Sequence, residues 1–239
     1  MRNFAPLREN NMSVNKQAYE QLIADLGSHH VTLVAVSKTK SVEEIRELYD
    51  LGQKDFGENY VQELTEKQSK LPNDIRWHFI GHLQTNKVKQ IASFIHLMQS
   101  VDSVKLLQEI NKQAQKNNRI INCLLQVHIA QEETKFGLDE TELNELLNNS
   151  VSHYPNICVA GLMGMASLTD DMEKIRTEFR YLKTLFDKLV SKPVTHNSQL
   201  TTLSMGMSSD YSVAIEEGSN MIRIGSLIFG ARNSINVAH

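Results

Sequence analysis

The sequence predicts a single (β/α)8 barrel with an extra helix at its N-terminus. Three observations lead there. Eight short apolar runs alternate with amphipathic stretches along 239 residues, a length that suits one such barrel. The first run, Val31-Thr-Leu-Val-Ala-Val-Ser37, is mostly branched and apolar, as in strands of a parallel sheet buried on both faces. It passes into the next helix through Lys38-Thr-Lys40. The Gly-rich turn of a doubly wound open sheet, the alternative architecture, is missing there.

Each element has a local reason. Residues 1–11 read as a flexible tail, and the barrel is expected to occupy 12–239. Tyr19, Leu22, Ile23 and Leu26 recur at helical spacing, and Gly27 can close that helix. After the first strand, Ser41-Val-Glu-Glu44 is a capping-box pattern ahead of Ile45 and Leu48. Asp55-Phe-Gly-Glu58 is a short second strand; Asn59 can cap the helix behind it, which Leu71-Pro72 stops. Further strands are expected over 75–81, 95–99, 120–129 and 157–165. Helices lie between them over 85–92, from Asp102 or Ser103 to Asn117-Asn118, and around Leu143, Leu146 and Leu147. Asp170 opens the longest helix, marked by Ile175, Phe179, Leu182, Phe186 and Leu189, with Pro193 just past its end. The seventh strand is expected over 200–204, then a two-turn helix capped by Ser209 and stopped by Gly218. The eighth strand is expected over 221–229, with little or no helix after it. The N-terminal helix can cover that gap, because the two ends of a closed barrel meet in space.

Composition excludes several function classes. A formal net charge of −3 gives no basic footprint for nucleic acid. No apolar run approaches the roughly 18 residues of a membrane span, and no secretory signal is apparent, so a cytoplasmic protein is expected. Cys123 and Cys158 fall in expected buried strands and read as small core residues rather than a disulfide. The nine histidines lack ligand spacing with cysteine, and no metal site is expected.

Three features point to chemistry. Lys38 ends a strand where it enters a helix, and in α/β folds that end faces the ligand. Alternation puts Val34, Val36 and Lys38 on one side of the strand. An amine at the rim of an apolar wall loses hydration, its pKa tends to fall, and its neutral form can attack a carbonyl. The bland reading is a lysine that reaches into solvent from a strand end. Barrels often bind phosphate with the loops after the last two strands. Here the first of these is Ser204-Met-Gly-Met-Ser-Ser209, where Gly206 permits a tight turn of converging N–H groups. The second is Gly225-Ser226, with close backbone approach and one hydroxyl. Arg223, between Ile222 and Ile224, must be paired or hydrogen-bonded if buried. It can meet a carboxylate as a structural pair or donate to a ring nitrogen of a cofactor.

A phosphate cradle beside an aldehyde-seeking amine suggests pyridoxal 5′-phosphate (PLP). Six ordered motifs then resemble the pyridoxal phosphate homeostasis proteins, single-domain relatives of the alanine racemase barrel. They are Ala35-Val-Ser-Lys-Thr-Lys40, Phe56-Gly-Glu-Asn-Tyr-Val-Gln-Glu63, Trp77-His-Phe-Ile-Gly-His-Leu-Gln84, Gly161-Leu-Met-Gly-Met165, Leu203-Ser-Met-Gly-Met-Ser208, and Ile222-Arg-Ile-Gly-Ser226 through Phe229-Gly-Ala-Arg232. The resemblance implies that Lys38 carries PLP as an internal aldimine. It implies that Ser204, Gly225 and Ser226 bind the phosphate, that Arg223 faces the pyridine nitrogen, and that Asn59 and Met163 line the cofactor. Val127-His128 stands where the family often has Val-Asn, which leaves the contact of His128 open; Ser226 stands where threonine is frequent.

The function implied by the resemblance is a monomeric protein that holds or delivers PLP in vitamin B6 homeostasis, with PLP-dependent apoenzymes as recipients. A PLP-dependent racemase is the enzymatic alternative. It needs acid–base groups on both faces of the substrate carbon, which alanine racemases complete with a second, all-β domain, and no room for such a domain is expected after Phe229. A cofactor-free Schiff-base aldolase on the same fold is the third reading.

Overall fold

The structure, a computed structural model, describes residues 13–130, 136–147, 153–191 and 198–230. The expected tail over 1–11, Pro193 and Arg232 lie outside them. Eight parallel strands close in sequence order, β1 back to β8: β1 Thr32–Val36, β2 Asp55–Glu58, β3 Arg76–Phe79, β4 Leu97–Val101, β5 Ile121–Val127, β6 Ile157–Gly164, β7 Ser198–Ser204 and β8 Met221–Ile224. The outer elements are α1 Lys16–Gly27, α2 Val42–Asp50, α3 Val61–Lys70, a 3-10 turn Thr85–Lys87 leading into α4 Val88–Ile91, α5 Val104–Lys116, α6 Glu140–Glu145, α7 Met172–Val190, α8 Tyr211–Glu216 and α9 Ser226–Phe229. The expected barrel with an extra N-terminal helix is the architecture found. No helix among the described residues is long and apolar enough to cross a membrane.

Two apolar clusters follow from strand alternation. The larger lies between the sheet and its helices and holds Leu33, Ala35, Phe56, Ile222 and Ile224. The smaller, Val34, Leu97, Leu124, Met163 and Met221, fills the inside of the barrel. Val34 is the register partner of Arg223 on β8, so both project inward. The inside of this barrel is therefore shared between an apolar cluster and a set of polar residues.

Several boundaries differ from those expected. The eighth strand ends at Ile224, not Phe229, and the apolar run Leu227-Ile-Phe229 belongs to α9. Periodicity cannot separate a short buried strand from a short buried helix. Pairing with β1 runs out at Ala35 and Ile224, and the chain then turns at Gly225, where an added Cβ would meet the Val36 carbonyl at 3.2 Å. As expected, α1 covers this end of the barrel: the Asn15 N–H donates to the Ile228 carbonyl at 2.8 Å. The fourth strand begins two residues late because Arg119 holds the carbonyls of Ala92 and Ile95, each at 2.7 Å, in the turn after α4. Asp171, not Asp170, caps α7, accepting from the N–H groups of Glu173 and Lys174. Asp210, not Ser209, precedes α8, and its carboxylate turns back to the Met207 N–H at 2.6 Å. Tyr60 stands at the N-cap of α3 without a side-chain cap bond, so the capping role expected of Asn59 is not found. The capping box of Ser41 and Glu44 forms in full.

Candidate functional site

The expected site residues gather at the C-terminal ends of the strands. Lys38 lies just beyond β1, Asn59 just beyond β2, Met163 near the end of β6, Ser204 at the end of β7, and Arg223, Gly225 and Ser226 on or beyond β8. Lys38 is half-buried and sits two inward positions further toward the mouth than Val34, the partner of Arg223. Lys40 is tied elsewhere. Its ammonium donates to the Phe229 carbonyl at 2.8 Å and pairs with Glu44 at 3.4 Å. Lys38 continues the inward phase of Val34 and Val36.

Arg223 is buried, 4% exposed. Among the described residues it forms no ion pair with a carboxylate. Nη1 donates to Ser204 Oγ at 2.5 Å and Nη2 to the Gly164 carbonyl at 3.0 Å, which leaves further N–H groups of the guanidinium for a ligand. Burial lowers its pKa to about 10, while the charge of Asp210 works the other way; the guanidinium therefore stays charged at neutral pH. The Ser204 hydroxyl, expected on a phosphate, is fully buried; it donates to Gln99 Oε1 at 2.7 Å and accepts from Arg223. Its place is in the barrel interior.

That bond opens a polar chain that the sequence reading missed. Gln99 Nε2 lies 2.9 Å from His78 Nδ1, and His78 Nε2 lies 3.0 Å from Asp55 Oδ1. Asp55 in turn forms a two-point ion pair with Arg76 near the N-terminal ends of the strands. The chain thus runs from Arg223 to the opposite end of the barrel. One donor atom each of Asp55, His78 and His96 lies within 4.8 Å of the others. Both nitrogens of His78 are engaged and Asp55 is paired with Arg76, so this cluster is the end of the hydrogen-bonded chain. The missed signal was the shared inward phase of Asp55 on β2 and of Arg76 and His78 on β3.

The two loops expected to hold phosphate are shaped by backbone. Gly206 has φ +97°, and a Cβ there would lie 2.6 Å from that of Ala214. Among the described residues, the N–H groups of Gly206, Ser208 and Ser209 make no hydrogen bond. The first turn of α9 leaves the N–H groups of Ser226 and Leu227 without helical acceptors. Donors of this kind suit an anion. Met163 is fully buried in the inner cluster. Asn59 Oδ1 is buried without a partner. Such an acceptor costs about 1–3 kcal/mol while unpaired and is poised to receive a donor from a bound molecule. His128 follows β5 and is half-buried, with its N–H on the Leu138 carbonyl at 3.0 Å.

Beneath the turn that carries Lys38 lies a second polar network, also missed. Glu58 Oε1 accepts from Ser37 Oγ at 2.6 Å and from Lys67 Nζ at 2.8 Å, while Glu58 Oε2 is buried without a partner. Burial raises the Glu58 carboxyl to about 7, against the charge of Lys67 and the hydrogen bonds from Lys67 and Ser37. For Asp55 burial also works upward, but hydrogen bonds from His78 and Arg76 overcome it and hold the group at about 2.

These two shifts act in separate pH windows. A carboxyl whose folded pKa is raised contributes fully below its ordinary value of 4.5, and the contribution is lost as pH rises through about 7. Asp55, depressed, contributes above 3.8 and loses that contribution as pH falls through about 2. Between pH 5 and 8 only Glu58 of the pair matters. Its titration should remove on the order of 1–3 kcal/mol of stability over that range. Urea unfolding at several pH values checks this: Glu58→Gln should flatten the decline relative to the unaltered protein, and equal slopes would contradict it.

The geometry can now be set beside known proteins. The model of the alanine racemase N-terminal domain matches residues 14–233. The pyridoxal phosphate homeostasis protein of Pasteurella multocida is 41% identical over 208 residues, 85% of this chain and 87% of that protein. The human protein of that name is 38% identical over 228 residues, 91% of this chain and 82% of its own length. PipY of Synechococcus elongatus, solved without PLP, is 33% identical with a TM-score of 0.84, covering 92% of this chain and 100% of that one. With PLP bound, PipY matches at 35% identity and a TM-score of 0.79, covering 90% of this chain and 100% of that one. Alanine racemase from Bartonella henselae, 16% identical with a TM-score of 0.65, shares the fold over 92% of this chain and 62% of its own. With identity near 40% spread along most of its length, on the barrel that the sequence predicted, this chain belongs to the pyridoxal phosphate homeostasis protein family.

Proposed function

We propose that this protein binds PLP at the mouth of its barrel and holds it for intracellular PLP homeostasis. The observation that supports the reading is that Lys38 lies in the turn just beyond β1 while Arg223 projects inward from the neighbouring β8, with Lys40 tied off against Phe229 and Glu44. The orphaned Oδ1 of Asn59 fits a bound group with a donor, and the unbonded N–H groups beyond β7 and β8 fit a phosphate. When bound, PLP supplies an aldehyde that an amine can attack and a ring that can take up electron density.

The residues then divide the work. Lys38 would hold PLP through its aldehyde carbon. Arg223 would offer an N–H to the pyridine nitrogen and, being charged, would oppose protonation there. Gly206, Gly225 and Ser226 bring the backbone close to the phosphate. Ser204 acts one layer lower, holding Arg223. Asn59 and Met163 would line the cofactor. Residues 12–239 form one cofactor-binding unit, monomeric and cytoplasmic, that passes PLP to PLP-dependent apoenzymes. The racemase reading is weaker, because an unprotonated pyridine is a poor electron sink.

The test is borohydride reduction of the PLP-loaded protein followed by peptide mass mapping. Lys38 should carry the cofactor and Lys38→Ala should lose the visible band. A label on Lys40, or none, would overturn the assignment. A second measurement addresses the phosphate. Several charge-assisted hydrogen bonds, each worth about 1.5–3 kcal/mol, disappear with pyridoxal. PLP should therefore bind roughly a hundredfold more tightly than pyridoxal, and equal affinities would remove the phosphate site.

A further inference from the structure

We propose that Glu63 and Lys67 of α3 are positioning residues, which clamp the two backbone groups flanking Lys38 and so aim its amine into the barrel mouth. The inference rests on the reading of Lys38 as the point of cofactor attachment and adds the device that presents it.

The turn needs external support. Lys40 N–H reaches the Ser37 carbonyl at 3.0 Å, closing a four-residue turn with Lys38 and Thr39 in its middle. Thr39 has φ +64°, the left-handed region that a β-branched side chain disfavours. A turn of this shape is kept only if its surroundings over-determine it.

The clamp supplies that support. The Thr39 N–H donates to Glu63 Oε1 at 2.6 Å. Lys67, almost wholly buried, has three ammonium protons and three acceptors: the Ser37 carbonyl at 2.7 Å, Glu58 Oε1 at 2.8 Å and Glu63 Oε1 at 2.6 Å. Glu63 and Lys67 are four apart on α3 and share its inner face. The Ser37 hydroxyl goes to Glu58 on the same side. Every one of these bonds lies on the helix side of the sheet, while the side chain of Lys38 belongs to the opposite, inward side. The cluster therefore fixes the peptide groups before and after Lys38 without occupying its amine's path. Glu63 is itself partly exposed, so its removal leaves the hydrophobic core intact.

Positioning and general stability can be separated. The rate of covalent attachment of PLP to Lys38 is measured by stopped-flow absorption in the unaltered protein, Glu63→Ala, Glu63→Gln and Lys67→Met, with circular dichroism as the check on folding. Affinity for pyridoxine 5′-phosphate, which has the phosphate but no aldehyde, is measured alongside. Glu63→Ala and Lys67→Met should slow attachment by roughly tenfold or more. Glu63→Gln keeps an amide oxygen for the Thr39 N–H and should stay within about threefold. Pyridoxine phosphate affinity should stay within about twofold throughout, because its loops are untouched. Unchanged attachment in Glu63→Ala would overturn the inference, and so would an equal loss of pyridoxine phosphate affinity. Should Lys67→Met fail to fold, the Glu63 pair decides alone. No attachment in the unaltered protein would instead overturn the functional reading, and this inference with it.

Discussion

A guanidinium inside a barrel is the constraint on which the rest of this interior depends. Removed from water, Arg223 must find acceptors or destabilise the fold. It finds a hydroxyl on β7 and a carbonyl at the end of β6. The hydroxyl must then be oriented, which Gln99 does from β4, and Gln99 is held in turn by His78 on β3. Asp55 and Arg76 close the series near the far end. Buried polar series of this kind specify a geometry only when each member is satisfied. The apolar residues of the inner cluster occupy the space left between these groups. The direct outcome for function is a charged donor set at a fixed height below the mouth.

Lys38 is placed by a different set of forces on the other side of the same wall. Strand alternation sends Ser37 outward and Lys38 inward. The outward residue and the backbone on both sides of Lys38 are held by a buried ammonium and two carboxylates. Ion clusters in such surroundings add little net stability but penalise alternative arrangements heavily, because any one of them strands a charge. The two networks, one inside the barrel and one beneath α3, hold Arg223 and the backbone around Lys38, the two groups on which the proposed PLP site rests. Rigid placement from a scaffold, with loops left to hold phosphate, is how barrels of this kind support binding.

Much of this was legible in the sequence, and the limits have physical causes. The order of strands and helices followed from alternating periodicities, and the place of Lys38 from a strand running into a capping box. The end of β8 was not legible, because Leu227-Ile-Phe229 reads equally as buried strand or buried helix. Asn59 read as a cap because its side chain suits one, but a cap depends on the backbone angles at the helix start, and there Tyr60 takes that place. The partners of Arg223 could not be read either. Gly164 lies 59 residues before Arg223, and Gln99, which orients Ser204, is 105 residues from it; only closure of the barrel brings them together. Lys67 and Glu58 likewise look like ordinary surface charges until α3 is laid against β2.

Arg223, charged and held from below, should keep the pyridine nitrogen of a bound PLP unprotonated. The most direct measurement is the nitrogen-15 chemical shift of PLP labelled at the ring nitrogen and bound to the protein, followed from acid to alkaline pH. The account predicts a shift typical of unprotonated pyridine that stays constant across neutral pH. A protonated shift at neutral pH would contradict it.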